Sequence, residues 1–217
     1  MGWGKIQLSQ WGIRSEMSQL HPKLMGYWPL DGDARDISGS GNHGTVNGAV
    51  LTVAPRGKGY LFNGDDTITL DATKLPQGDT SWTVCMWAWP LDASVAFGWG
   101  NAGQTAKCPH FDYFTTTLRF CGWNADFATS EIFGDDGNWH FYTFSHGGGL
   151  SYIYRDGRFY VSSSKTYGMA GGTALIGARP DGVGNFNGSI SQLMVFSVRL
   201  ELPDILRVMT GQMPIGV

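Results

Sequence analysis

From Leu24 onward, short stretches of the chain alternate apolar with polar residues. A period of two is the mark of a strand that buries one face. The alternation predicts strands at Leu24–Trp28, Gly59–Gly64, Thr67–Leu70, Ser81–Pro90, Val95–Trp99, Phe111–Thr116 and Leu118–Trp123. Further strands are predicted at Asn138–Ser145, Leu150–Arg155, Arg158–Ser163, Thr173–Gly177 and Phe186–Phe196. Asp156-Gly157, between two of these, is a two-residue hairpin turn, a place where φ > 0 is required and such residues supply it. Only Glu201–Met209 reads as a later helix, with Leu202, Ile205, Leu206 and Met209 on one face. Pro203 is tolerated in its first turn, and Gly211 stands where a helix stops. About a dozen short strands with one terminal helix predict an all-β fold, a two-sheet antiparallel sandwich.

Ser81–Pro90 is the most aromatic of these stretches. Trp82, Val84, Met86 and Ala88 share one face, and Thr83, Cys85, Trp87 and Trp89 share the other. The first face suits a core. The second is too aromatic for a bare surface, so it either lines a binding concavity or lies beneath loops or a partner chain.

Composition narrows the class. The 217 residues include 32 glycines without a period, as many tight turns require. A net charge of −3 and the lack of any Lys/Arg run argue against a nucleic-acid surface. No apolar run approaches membrane-spanning length, and no signal-peptide core is visible at the N-terminus. Three cysteines, Cys85, Cys108 and Cys121, leave two readings open: three buried thiols, or one bridge between Cys108 and Cys121. No cysteine or histidine spacing suggests zinc. Residues 1–23 differ from the rest, with Ile13, Met17 and Leu20 at helical spacing before Pro22. They are expected to form an arm ahead of a single domain at 24–217, packed on that domain or docked on a neighbouring subunit.

Seven segments, in order, carry a resemblance. They are Tyr27–Asp31, Asp36–Gly44, Tyr60–Gly64, Trp82–Trp87, Asn138–His140, Tyr154–Gly157 and Phe186–Ile190. Together they resemble the laminin-G-like jelly rolls of the concanavalin A-like lectin/glucanase superfamily, over roughly residues 24–210. The resemblance implies a jelly roll with a structural calcium site in the first loop, where Asp36, Asn42 and the carbonyls up to Gly44 would be ligands. Where the family often has an acidic pair after Gly-Ser-Ile, this chain has Ser191-Gln192.

Such folds host lectins, adhesion modules and glycosidases alike. A retaining glycosidase needs two carboxylates about 5–5.5 Å apart. The nearest candidates, Glu131 and Asp135, sit four apart in a turn, and the Glu-x-Asp-x-x-Glu pattern of the family's glucanases is absent. The five histidines, His21, His43, His110, His140 and His146, accompany no catalytic motif and are expected in structural or surface roles. Trp and Tyr faces stack on sugar rings while polar neighbours take the hydroxyls. Trp87, Trp89, Trp99, Trp123 and Asn124 are therefore the expected ligand-binding residues, with Tyr113 and Asn101 as extensions. The expected function is a non-catalytic lectin-like or adhesion module. It would bind a glycan or a protein, on the surface of a virion or similar assembly, or at an extracellular or cell surface.

Overall fold

The computed structural model describes residues 21–114, 117–130 and 136–215. Most of the expected arm (residues 1–20) and both Glu131 and Asp135 lie outside the described residues. Among the described residues the first strands are β1 (Leu24–Trp28), β2 (Thr45–Asn47), β3 (Val50–Ala54), β4 (Gly57–Asn63) and β5 (Thr67–Leu70). Next come β6 (Trp82–Pro90), β7 (Ser94–Gly100), β8 (His110–Phe114), β9 (Thr117–Cys121) and β10 (Phe127–Ala128). β11 (His140–Gly147), β12 (Leu150–Arg155), β13 (Arg158–Ser164), β14 (Thr173–Ile176) and β15 (Asn187–Phe196) complete the strands, and α1 (Leu202–Met209) follows.

Two sheets stack as a sandwich. The larger runs β13-β12-β11-β6-β15-β4-β3, with β1 also paired to β15. The smaller runs β10-β9-β8-β7-β14-β5-β2. All pairings between these strands are antiparallel. β15 carries a bulge between Ser191 and Met194, with Gln192 at φ 53°. There the strand hands over from β4 to β1, and Gln192 donates its N–H to the Pro29 carbonyl.

β6 lies between β11 and β15, and both of its faces are covered. Trp82, Val84, Met86 and Ala88 point into the main core with Phe97, Trp99, Phe111, Phe120 and Phe144. Burying one such ring contributes roughly 1.5–3 kcal/mol. Cys85 and Trp87 point the other way, into a second apolar cluster with Phe141, Met194, Ile205 and Val208. Here α1 caps the outer face of the larger sheet. Thr83 ties the approach to α1 down: its Oγ1 donates to the Val198 carbonyl (2.8 Å) and accepts from the Leu200 N–H (2.9 Å). The helix ends as its sequence demands. Gly211 is left-handed (φ 85°), its N–H reaching the Val208 carbonyl and that of Gln212 the Arg207 carbonyl.

Asp156 and Gly157 are both at positive φ (52° and 73°), as the hairpin requires. The pattern did not announce β2 and β3. They are short, and β3 is an edge strand whose Val53 is 81% exposed, so neither shows buried alternation. β9 ends at Cys121, not at Trp123 as the alternation suggested. All three cysteines are free and buried, so the Cys108–Cys121 bridge is not formed.

Candidate functional site

The five expected ligand-binding residues fall in three separate places. Trp99 is fully buried and its indole N–H donates to the Pro76 carbonyl (3.0 Å). It is a core residue and offers no face to a ligand. Trp87 and Trp89 do share the outer face of β6, and each is half-buried. Trp87 packs on Phe141 (ring centroids 5.4 Å apart) among the residues beneath α1, and Trp89 lies 6.5 Å from Trp139. Both indole N–H groups are buried without a hydrogen-bond partner among the described residues. Trp87 thus packs part of its surface against the cluster beneath α1 and leaves part of it exposed.

Trp123 and Asn124 are different. They follow β9 on a turn, at φ 55° and 65°. Left-handed conformation costs a residue with a side chain on the order of 1–3 kcal/mol, and a fold retains it only where its surroundings enforce it. The enforcement is visible. The Gly122 N–H donates to Asp126 Oδ1 (2.9 Å), and the Ala106 N–H donates to the Trp123 carbonyl (3.2 Å). Ala106 is itself left-handed (φ 60°), and its carbonyl accepts from the Gly168 N–H (2.9 Å). Asn101 holds the same loop by donating to the Ala170 carbonyl (2.6 Å). The side chain of Tyr113 lies outside the described residues.

Arg179 completes this rim. Its guanidinium sits 4.7 Å from the centroid of the Trp123 ring, within cation–π range. Two 2.8 Å hydrogen bonds from Arg179 hold Asp181 and keep its carboxyl below the usual carboxylate range. The Gly182 N–H closes the turn on the Arg179 carbonyl (2.7 Å). Trp123 is partly exposed and Asn124 exposed, so an indole, a guanidinium and an amide meet solvent on a pre-set frame. Sequence reasoning singled out Trp123 and Asn124 but not Arg179, which the turn-forming Pro180-Asp-Gly182 beside it could have pointed to.

The first loop holds together through its own backbone. Asp36 is buried, and Oδ1 accepts the N–H groups of Tyr27 (3.0 Å) and Ser38 (2.8 Å) while Oδ2 accepts that of Asn42 (2.9 Å). Asn42 bonds both ways with the backbone of Asp71, and its carbonyl takes the Trp28 indole N–H (2.7 Å). Gly44 donates to the Ala34 carbonyl (2.8 Å). Calcium takes six to eight oxygens. Each N–H aimed at Asp36 occupies a lone pair that the ion would need, so the residues fit a self-satisfied loop better than a calcium site.

The strands also gather two histidine clusters. His146 Nδ1 lies 2.9 Å from Ser151 Oγ and its Nε2 2.9 Å from Asp79 Oδ1. A nucleophile, a base and an orienting carboxylate have this composition. Ser151 and His146 are each only 1% exposed, however, and Asp79 also accepts the Tyr167 N–H (3.0 Å). The trio ties the β11–β12 hairpin to the segment before β6. His140 bridges Asp156 (2.6 Å) and Asp136 (2.9 Å), while Asp156 also accepts the Phe141 N–H (2.9 Å), clamping the β12–β13 turn to β11.

A family model described as the concanavalin A-like lectin/glucanases superfamily matches residues 62–206. No curated protein matches the chain. Among solved structures, the fourth domain of an extracellular arabinanase from Geobacillus stearothermophilus, in complex with arabinotriose, superposes with a TM-score of 0.69. It is 18% identical, over 86% of this chain and 98% of that one. The binding domain of Paraclostridial Mosquitocidal Protein 1 gives a TM-score of 0.70 at 13% identity, over 90% of this chain. The binding domain of botulinum neurotoxin DC, in complex with rat synaptotagmin II, gives 0.65 at 14% identity, over 89% of this chain. This chain spans about half (52%) of each of those two toxin chains. At these identities the likeness is one of fold.

Proposed function

The chain belongs to the concanavalin A-like lectin/glucanase superfamily, and from that premise we propose that it is a non-catalytic, lectin-like module that binds carbohydrate at the Trp123–Asn124 rim. One observation carries the reading. Trp123, Asn124 and Ala106 are held left-handed around a part-exposed indole braced by Arg179. A frame that bears this cost and presents an aromatic face with polar neighbours is suited to stacking on a sugar ring and bonding its hydroxyls. The arabinotriose-bound neighbour supports a short neutral oligosaccharide as the first ligand class to try.

The test is titration of the purified chain against a panel of oligosaccharides that includes arabinotriose. Trp123→Ala is expected to weaken the best ligand about tenfold or more, the equivalent of about 1.4 kcal/mol of lost stacking. Trp87→Ala is expected to leave affinity unchanged. Binding by no member of a broad glycan array, or binding insensitive to Trp123→Ala, overturns the reading.

In its finer form the proposal puts this module on the outside of a virion or similar assembly, with residues 1–23 docking on neighbouring subunits. The amphipathic spacing of Ile13, Met17 and Leu20 supports it. Deletion of residues 1–23 is expected to abolish incorporation into particles while sparing glycan binding. Unchanged incorporation rejects the assembly role alone.

A further inference from the structure

β8 and β9 form a hairpin whose outward face should carry ordinary surface residues, because Phe111, Leu118 and Phe120 already fill the core from the other face. Instead it carries His110, Asp112 and Cys121, at 4%, 5% and 1% exposure. Their burial has a local cause. At Gly98, on the neighbouring strand β7, an added Cβ would lie 2.7 Å from His110 Cβ and 2.9 Å from Pro180 Cδ. The missing side chain at Gly98 thus lets the Arg179–Asp181 turn close over the hairpin face.

The register does the rest. His110 stands opposite Cys121 and two residues from Asp112, which puts all three on one face. One ligand atom from each lies within 4.8 Å of the other two, and Cys121 Sγ is 3.4 Å from Asp112 Oδ2. In a tetrahedral site with bonds of about 2.0–2.3 Å, neighbouring ligand atoms are about 3.3–3.8 Å apart, so only small side-chain shifts separate this cluster from that geometry. His110 Nδ1 lies 2.9 Å from the Cys108 carbonyl and donates to it, so its ring lone pair is on Nε2, the nitrogen that would serve an ion. Arg119 braces Asp112 through Nε to Oδ1 (2.9 Å) and Nη2 to Oδ2 (2.6 Å), the outer support that ligating carboxylates usually have.

We propose that His110, Asp112 and Cys121 form a zinc-binding site between β8 and β9, beneath the Arg179–Asp181 turn. One imidazole nitrogen, one carboxylate oxygen and one thiolate sulfur make a borderline-soft donor set that suits Zn²⁺ and disfavours Ca²⁺ or Mg²⁺, which take oxygen. Three protein ligands leave a fourth position for water. Binding forms the Zn–S bond as the Cys121 thiol gives its proton to solvent, one proton per ion. The site lies under the turn that carries Arg179, so an occupied site would stiffen the support of Trp123. The proposal stands whether or not that rim binds sugar.

The experiment uses the whole chain, stripped with a chelator and dialysed against ZnCl₂. One zinc per chain by elemental analysis is expected. Replacement with Co²⁺ is expected to give a thiolate-to-cobalt charge-transfer band. Cys121→Ser is expected to remove that band, and His110→Gln to weaken zinc at least tenfold. A stoichiometry near zero, a cobalt spectrum without thiolate ligation, or zinc affinity unmoved in both variants overturns the assignment. Should either variant fail to fold, the wild-type stoichiometry and cobalt spectrum decide alone.

Discussion

Asp36 anchors the first loop through backbone hydrogen bonds. One carboxylate serves three N–H groups spread over Tyr27, Ser38 and Asn42, so its removal takes the acceptor from two buried donors and one part-buried donor at once. Asp36→Ala is expected to cost about 3 kcal/mol in urea denaturation, and Asp36→Asn, which keeps one acceptor oxygen, roughly half as much. Calcium and chelator are expected to leave the melting temperature of the wild type unchanged. A rise of several degrees with calcium would restore the metal reading of this loop. Sequence singled out Asp36, Asn42 and Gly44 as candidate ligands of a metal. It could not say whether a backbone or an ion took their oxygens, because that depends on Asp71, 29 residues from Asn42.

For an element, β6 shows how far alternation reaches. The pattern assigned Trp82, Val84, Met86 and Ala88 to one face and Cys85 and Trp87 to the other, and the two apolar clusters divide along that line. What covers the second face is α1, more than a hundred residues later. Trp87 therefore works as a packing residue. Trp87→Ala is expected to lower stability by about 2 kcal/mol or more, read as an earlier urea midpoint, without touching ligand affinity. A variant of unchanged stability that lost glycan binding would reverse the roles of Trp87 and Trp123. Burial beneath this cover also pushes the Cys85 thiol up to about 12, so it is expected to resist alkylation until the chain unfolds.

Across the whole molecule, His21 couples the start of the described chain to its end. Its ring meets Phe196 of β15 edge-on at 5.4 Å, and both ring nitrogens are buried without partners among the described residues. Burial pushes its pKa down; Asp204 of α1 opposes this and Lys23 adds to it. The sign follows. The folded chain takes up this proton only at a lower pH than the unfolded chain, which does so near the ordinary value of about 6.5. Stability from this group is complete above about pH 6.5 and falls as the pH drops below it, by at most about 1.4 kcal/mol per pH unit. Melting temperatures between pH 8 and pH 5 are expected to fall more steeply for wild type than for His21→Phe. Parallel curves would remove His21 from the account.

By itself, the sequence determined whatever depends on near neighbours: strands and their two faces, the Asp156-Gly157 turn, the start and stop of α1, and the family. These follow from backbone sterics and from a two-residue side-chain period, both local. Tertiary structure alone decided which faces were closed. Trp99 went to the core, while Trp87, packed against the cluster beneath α1, and Trp123, on the turn after β9 ends at Cys121, both stayed partly exposed. It also decided that His110, Asp112 and Cys121, whose spacing along the chain matches no metal motif, share one pocket of side chains. Stacking two sheets and folding a turn over Gly98 are long-range events, and no local pattern records them.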